Sequence, residues 1–299
     1  MIKIMDGKNV SKKILKDEAT KISKLFFKPK LVVISVGEDR ASRIYIKNKR
    51  KACGEVKIDF EEIHIDNECL SSEDLFEKLK AIVIELNNDF NVDGILIQKP
   101  IFGLSKEHEQ ELFSYIDFKK DVDVFNVKNE AQIYQGNHTL LPCTPQGILT
   151  LLDEYNIKIQ GKNVVVIGRS DIVGKPAALA LLNRNANITI CHSKTDIKDL
   201  MFYTANATII VSAVGSPKFI NSEYITPSCE CIIDVGMNRD ENGKLCGDVD
   251  YYDIINYWET LDKNVDRYIT PVPGGVGAMT VASLIQNIVK LSIKRRMLL

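Results

Sequence analysis

Short apolar runs alternate with amphipathic segments in the first part of the chain, and this pattern predicts a parallel sheet covered by helices. The run KLVVISVG (30–37) is rich in β-branched residues and ends in glycine, which is typical of a buried strand. A helical pattern follows in ASRIYIKNKRKACGEV, with Gly54 as its predicted stop. The segments that come next are DFEEIHI, an alternating strand, SSEDLFEKLKAIVIELNND, a helix, and VDGILIQKP, a buried strand. This order of strands and helices favours a parallel sheet.

The same rhythm starts again after a less regular stretch that contains Pro142 and Pro145. The predicted strands here are GKNVVVIGRS, ANITICHS, ATIIVSAVG and CIIDVGM, with helices after the first two. The tail TVASLIQNIVKLSIKRR places apolar residues on one helical face, so it needs a surface to pack on. We expect its basic end, KRR, to be a solvated helix terminus. The simplest interpretation is two α/β units in series.

Composition and charge exclude several classes of partner. The 39 basic and 40 acidic residues leave a net charge of −1, so no bulk field attracts nucleic acid or an anionic membrane. The lysine-rich start is not a secretory signal, and no segment approaches the ~18–20 apolar residues of a membrane span. The seven cysteines are odd in number and irregularly spaced, which predicts reduced thiols in a cytoplasmic protein. Cys229 and Cys231 lack a second pair at metal-ligand spacing, so we expect no metal site.

The stretch VIGRSDIVGKP follows a predicted strand and opens a predicted helix, as a dinucleotide-binding turn does. Its spacing is irregular, because Ser170 stands where the second glycine is expected and Gly174 comes one place late. Taken alone, the stretch is equally compatible with a tight turn that holds no ligand. The end of the next strand, Cys-His-Ser-Lys-Thr, has no carboxylate for a ribose, whereas Ser193, Lys194 and Arg169 offer donors to a 2′-phosphate. This favours NADP over NAD.

In the first unit, Tyr45 and Lys49 are four residues apart and therefore share one helical face. Taken alone, such a pair is more often an exposed lysine beside a half-buried tyrosine. Short-chain dehydrogenases use the same spacing, but their pair follows the glycine turn, whereas this one precedes it by about 120 residues. Gln98 ends a buried strand, where it can bind a ligand or satisfy a loop carbonyl. Asp123, in KKDVDVFN, belongs to a cluster of charges that is commonly a solvated turn.

Taken together, the motifs occur in the order found in one family. They are S-x-x-Y-x-x-x-K, GILIQ-x-P, KDVD, PCTP-x-G, VIGRS-x-IVGKP, DVG-x-N, GDV and TPVPGGVG. Over residues 1–292 the chain resembles the bifunctional methylenetetrahydrofolate dehydrogenases/methenyltetrahydrofolate cyclohydrolases. The resemblance implies an α/β catalytic domain at residues 1–145, completed by a C-terminal helix at 279–299. It also implies a Rossmann-type NADP-binding domain at 146–278, folate in the cleft between the domains, and a homodimer paired through the nucleotide domains.

The resemblance implies a role for each matching residue. Lys49 matches the catalytic lysine, Gln98 the glutamine beside it, Tyr45 the tyrosine that lines the folate site, and Asp123 the aspartate that grips the pterin. The remaining matches are Pro273 and Gly274 in the turn that touches substrate, Gly168, Arg169, Ser170 and Ser193 at the NADP phosphates and ribose, and Met237, which replaces an isoleucine at a main-chain contact.

Besides Met237, three residues depart from the family pattern. Lys99 replaces a leucine, Phe102 replaces a proline, and Val124 stands where the family usually has glycine. If that glycine uses a positive φ, valine resists the conformation and can shift Asp123. The implied function is NADP-dependent oxidation of 5,10-methylenetetrahydrofolate and hydrolysis of the product to 10-formyltetrahydrofolate, in one-carbon metabolism. The alternatives are a two-domain shikimate- or amino-acid-type dehydrogenase and a non-catalytic nucleotide-binding homologue.

Overall fold

The structure of the chain is a computed structural model that describes residues 1–137 and 139–297. The chain divides into two compact units. One contains residues 12–140 and 281–299 and is named here the three-stranded unit, and the other contains residues 1–11 and 141–280 and is named the six-stranded unit. Two of the three boundaries therefore fall inside the first and the last helix of the chain, and the third lies between residues 140 and 141.

The elements follow one another in an alternating α/β order. The helices are α1 (Gly7–Ile22), α2 (Arg40–Val56), α3 (Ser72–Asn88), α4 (Lys106–Tyr115), α5 (Val127–Tyr134), α6 (Cys143–Glu154), α7 (Gly174–Leu182), α8 (Ile197–Ala205), α9 (Tyr251–Glu259) and α10 (Val276–Met297). The strands are β1 (Ile2–Ile4), β2 (Lys30–Val36), β3 (Asp59–Ile65), β4 (Gly94–Ile97), β5 (Asn163–Ile167), β6 (Asn187–Cys191), β7 (Ile209–Ser212), β8 (Cys231–Asp234), β9 (Asn238–Arg239), β10 (Leu245–Cys246) and β11 (Arg267–Ile269).

The three-stranded unit has the predicted parallel sheet, in the order β3-β2-β4. Its core is formed by the apolar residues of β2 and β4 together with one face each of α3 and α4. Gly54 is not the helix stop that we predicted, because α2 continues to Val56 and ends at Lys57 in the left-handed conformation. The fold class expected from the sequence is confirmed.

Two helices, α4 and α5, lie in the stretch that showed no regular pattern in the sequence. Each is short and begins at a side-chain cap: Ser105 accepts from the amide of His108, and Asn126 accepts from that of Lys128. α4 buries only Leu112 and Phe113, so its apolar face is too narrow to be recognised from periodicity. In the sequence, Ser105 and Asn126 are the residues that could have indicated where these two helices begin.

The six-stranded unit has a fully parallel sheet in the order β1-β11-β8-β7-β5-β6. β5 is the switch point, since β6 pairs on one side of it and β7 on the other. β1 pairs with β11, and this places residues 1–11 in the six-stranded unit, whereas the resemblance implied a catalytic domain that begins at residue 1. β9 and β10 form a separate antiparallel pair.

The last helix, α10, corrects two expectations. Contrary to the prediction, α10 is long and apolar enough to span a membrane by length and composition, but 61% of its apolar window is buried inside the protein, as in a core helix. Its basic end is not simply solvated, because Arg295 and Arg296 both pair with the carboxylate of Asp93, which is fully buried. Lys294 is the exposed member of the KRR end.

Candidate active site

Lys49 and Gln98 are in direct contact in the three-stranded unit. The Lys49 Nζ atom donates to Oε1 of Gln98 at 2.7 Å, although the two residues are 49 positions apart. The Gln98 amide is held in one orientation, since its Nε2 donates to the carbonyl of Lys99 at 2.7 Å and its backbone N–H donates to Ile34. The amide oxygen, and not the nitrogen, therefore faces the lysine.

Helix α2 carries both Lys49 and Tyr45. Its N-cap is Asp39, whose carboxylate accepts from the amide of Ser42 at 2.6 Å and fixes the start of the helix just after β2. Tyr45 is half-buried, and burial raises the pKa of its phenol. The hydroxyl thus stays neutral and can donate a hydrogen bond at physiological pH.

Asp121 shapes the turn that holds Asp123. Asp121 is buried and accepts from the backbone amides of Phe125 and Asn126 and from Nδ2 of Asn129, and burial raises its pKa. The Ile95–Asp121 bridge is parallel, so Asp123 lies level with Ile97, at the same end of β4 as Gln98. Asp121 comes two positions before Asp123 in the KDVD motif, and its buried structural role was not predicted.

Val124, where the family usually has glycine, adopts a φ of +61° and is almost completely buried. Val124 therefore adopts the left-handed conformation, which β-branched residues disfavour. The other departures are also accommodated: the Lys99 ammonium pairs with Glu109 and lies 5.5 Å from the ring centre of Phe113. Phe102 is exposed, and its carbonyl accepts from Asn67.

In the six-stranded unit, the turn after β5 requires glycine at two positions. Gly168 has a φ of +132°, and a Cβ added to it would lie 2.4 Å from the carbonyl oxygen of Ala213. A Cβ at Gly174 would lie 2.2 Å from the oxygen of Gly168. Ser170, in place of the usual glycine, accepts from the amides of Val173 and Gly174 and so caps the start of α7.

The polar residues predicted for the cofactor share one edge of the sheet. β5 and β6 are parallel neighbours, and the amide of Gly168 donates to Cys191, so Arg169 and Ser193 follow adjacent strand ends. Arg169, Ser193 and Lys194 are all exposed there. The nearest carboxylates in sequence are already used: Asp171 pairs with Lys175, and Asp196 caps α8. This donor set fits a 2′-phosphate.

Met237 and the turn at Pro273 and Gly274 also follow strand ends on this edge, after β8 and β11. The carbonyl of Gly274 accepts from the amide of Lys8 at 3.1 Å. A Cβ at Gly277 would lie 3.2 Å from the sulfur of Met237, so these two segments contact each other. All the residues predicted for the cofactor therefore lie on the carboxyl edge of the six-stranded sheet.

Two buried aspartates organise the same edge and were absent from the predicted site. Asp248 accepts from the amides of residues 214–216 and from Nδ2 of Asn238. Asp234 accepts from three amides, those of residues 236, 248 and 249, and burial raises its pKa to about 7. A Cβ at Gly247 would lie 1.8 Å from the Asp234 carboxylate. In the sequence, the Gly247-Asp248 pair of the GDV motif is the feature that could have pointed to these two aspartates.

Two family models match the chain in sequence. Residues 5–123 match the model described as tetrahydrofolate dehydrogenase/cyclohydrolase, catalytic domain, and residues 142–296 match the model of the same family's NAD(P)-binding domain. The chain belongs to the tetrahydrofolate dehydrogenase/cyclohydrolase family. The resemblance stated from its motifs is confirmed.

Relatives within the family match nearly the whole chain. The bifunctional protein FolD of Bacillus cytotoxicus is 46% identical over 96% of this chain and 95% of its own, and that of Listeria innocua is 42% identical over 97% of each. The crystal structure of the bifunctional FolD dehydrogenase/cyclohydrolase from Campylobacter jejuni is 38% identical, with a TM-score of 0.88 over 99% of this chain and 100% of that chain.

A further structure in the family bears on the cofactor. The Trypanosoma brucei methylenetetrahydrofolate dehydrogenase-cyclohydrolase, 29% identical with a TM-score of 0.85 over 98% of each chain, was solved in complex with NADP and an inhibitor. Membership of this family favours the bifunctional folate enzyme over a shikimate- or amino-acid-type dehydrogenase.

Proposed function

We propose that the protein oxidises 5,10-methylenetetrahydrofolate with NADP⁺ and hydrolyses the resulting 5,10-methenyl cation to 10-formyltetrahydrofolate. The observation that carries this proposal is the hydrogen bond from the Lys49 ammonium to the neutral amide oxygen of Gln98. The resemblance implies that Lys49 of this pair is the group that the hydrolytic step requires. Membership of the family supports the reaction, and the contact supports the assignment of roles.

Hydrolysis needs a base to take a proton from water and an acid to return one to the leaving nitrogen. A free lysine has a pKa of about 10.4 and is therefore protonated and inactive as a base at neutral pH. The cationic methenyl bridge of the substrate and the exclusion of water both disfavour the ammonium form of Lys49. Gln98 orients the amine without adding a negative charge, which would raise the lysine pKa again.

Tyr45 and Asp123 bind and orient the folate in this proposal. The Asp123 carboxylate accepts hydrogen bonds from the 2-amino group and ring N–H of the pterin, which fixes the orientation of the ring. Tyr45 offers an aromatic ring with a neutral hydroxyl. Hydride transfer depends mainly on the alignment of the reacting atoms and on the exclusion of water. The role of Tyr45 and Asp123 is therefore to position the one-carbon bridge.

The residues proposed to hold NADP are those on the carboxyl edge of the six-stranded sheet. Gly168 and Ser170 allow the pyrophosphate to approach the start of α7, while Arg169 and Ser193 bind the 2′-phosphate and ribose. The cofactor supplies the hydride acceptor. Pro273 and Gly274 lie against substrate, and Met237 makes a main-chain contact.

The test is the variant Lys49→Met, with Lys47→Met as its matched control, because Lys47 lies on the same helix but is exposed. We expect Lys49→Met to abolish the conversion of methenyl- to formyl-folate while it retains appreciable NADP⁺-dependent hydride transfer. Lys47→Met should keep both activities. Equal loss of both activities in Lys49→Met, with normal folate binding, would reject the proposed division of roles. No turnover by the wild type would favour the non-catalytic alternative.

We also propose a homodimer, paired through the six-stranded unit. β6 is an edge strand of the sheet, so its outer hydrogen-bonding groups can pair with a second copy. Exposed apolar side chains surround it on β6 and α8, namely Ile190, Ile197, Met201 and Phe202. Light scattering should give a dimer mass for the wild type and a monomer mass for Ile190→Lys/Phe202→Glu. A monomeric wild type would reject this arrangement.

For the cell compartment we propose the cytoplasm. All seven cysteines lie outside disulfide bonds, and five of them are buried. Burial raises the pKa of Cys53 and of Cys229 to about 12, so these thiols remain protonated and unreactive. A chain with seven cysteines outside disulfide bonds is suited to a reducing compartment.

A further inference from the structure

A cavity of about 390 Å³ lies in the three-stranded unit, away from Lys49 and Gln98. Its wall includes the end of α3, the segment 117–120, part of α5 and the last turns of α10. Because α3 leads into β4, its end lies at the amino edge of the sheet, whereas Gln98 follows the carboxyl end of β4. The cavity and the candidate active site are therefore at opposite edges of the sheet.

The wall of the cavity is strongly basic. It carries five cationic side chains, Lys119, Lys120, Lys290, Lys294 and Arg295, against one carboxylate, that of Asp117. This excess is local, because the whole chain has a net charge of −1. A concave surface lined by one sign of charge concentrates ions of the opposite sign.

Two of these five cationic side chains contact other groups of the protein, and the other three do not form ion pairs among the described residues. The Lys120 ammonium donates to the carbonyls of Leu86, Asn87 and Asp89, and Arg295 pairs with Asp93. Within residues 1–137 and 139–297, no carboxylate forms an ion pair with Lys119, Lys290 or Lys294. These three ammonium groups can therefore bind a ligand directly.

Burial and neighbouring cations both act on two lysines of the cavity wall. Burial, together with the Arg295 charge, lowers the pKa of Lys120 to about 8. Burial, together with the neighbouring Lys294, lowers the pKa of Lys290.

We propose that this basic cavity binds a small polyanion, a molecule with several phosphate or carboxylate groups, at a site separate from the folate and NADP sites. Its volume lies within the range of about 300–1,000 Å³ that is usual for small-molecule pockets. A concave site of this size suits a compact anion better than a nucleic-acid backbone. Lys119, Lys290 and Lys294 bind the anion.

The experiment is calorimetric titration with tripolyphosphate and, separately, with citrate, on protein saturated with NADP⁺ so that the phosphate donors around Arg169 are occupied. The test variant is Lys290→Glu/Lys294→Glu. The matched control is Lys78→Glu/Lys106→Glu, which has the same change of net charge on exposed residues of the same unit outside the cavity wall. Circular dichroism and thermal unfolding establish that both variants fold.

We expect the wild type and the control variant to bind at least one of the two anions with the same affinity. Affinity should fall at least about tenfold in Lys290→Glu/Lys294→Glu, because charge-assisted contacts are replaced by repulsion. Binding of tripolyphosphate alone would identify phosphate groups as the ligand chemistry, and binding of citrate alone would identify carboxylates. The proposal is overturned if the wild type binds neither anion, or if both variants weaken binding equally.

Discussion

Substitution of Val124 by alanine and by glycine separates the cost of its backbone conformation from the loss of its side chain. Val124 has a φ of +61° and is almost completely buried, and it lies next to Asp123. Val122, two positions earlier, is also fully buried but is not among the residues with positive φ. The two valines therefore form a matched pair within one segment.

The expected magnitudes follow from three contributions. At Val122, the step from alanine to glycine removes a buried methyl, about 0.8 kcal/mol, and adds about 0.5–1 kcal/mol of backbone entropy, which gives about 1.3–1.8 kcal/mol. At Val124 the same step also removes the left-handed strain of a residue with a Cβ, roughly 1–2 kcal/mol. The net cost at Val124 is therefore close to zero.

The measurement is the free energy of unfolding in urea for Val122→Ala, Val122→Gly, Val124→Ala and Val124→Gly. Trp258 is the single tryptophan of the chain and lies in the six-stranded unit, whereas both valines lie in the three-stranded unit. Its fluorescence therefore does not report on the unfolding of the unit that carries the substitutions. Hydrogen exchange of peptides from β2 and β4 follows the three-stranded unit instead. If the alanine-to-glycine step costs the same at both positions, Val124 carries no strain and the reasoning is wrong.

Three further predictions concern the site. Arg169→Ala should raise the KM for NADP⁺ far more than that for NAD⁺, and steady-state kinetics with both cofactors would show an equal change if the 2′-phosphate is bound elsewhere. Gln98→Glu adds a carboxylate beside Lys49, so we expect the pH–rate profile of methenyl hydrolysis to move to higher pH; a uniform loss at every pH would contradict this. Burial raises the pKa of Asp234 from its ordinary value of 3.8 to about 7, so the folded state binds more protons between these values. The unfolding free energy should therefore fall as pH rises from about 4 to about 7, and Asp234→Asn should flatten this slope in urea titrations at several pH values.

The strands and most helices were predictable because their apolar periodicity is a local property. β2, β4 and β5 are nearly continuous runs of Val, Ile and Leu, and the structure buries them in the two parallel sheets. The end of α10 was not predictable in this way. Arg295 and Arg296 look like a solvated terminus until Asp93, more than 200 positions earlier, is placed beside them.

In the candidate site, too, some features could be predicted from the sequence and others could not. Residue type and position indicated Lys49 and Gln98 separately, but their contact depends on β2 and β4 being neighbours with α2 between β2 and β3 in the chain. Asp121 and Asp123 have the same charge and differ by two positions, so residue type and position did not separate them, and the choice of Asp123 came from the resemblance alone. The structure assigns Asp121 to three hydrogen bonds that shape the turn, because only its carboxylate is fully buried.

Several of the predicted site residues share one property, since they follow the carboxyl end of a parallel strand. Gln98 comes after β4, Arg169 after β5, Ser193 after β6, Met237 after β8 and Pro273 after β11. At such ends the loops are free of sheet hydrogen bonds and can be specialised for ligands, so a short motif that follows an apolar run indicates a site. The basic cavity lies at the opposite edge and is assembled from helix ends that are far apart in sequence. No local pattern marks a site of that kind, because its charges meet only after the chain has folded.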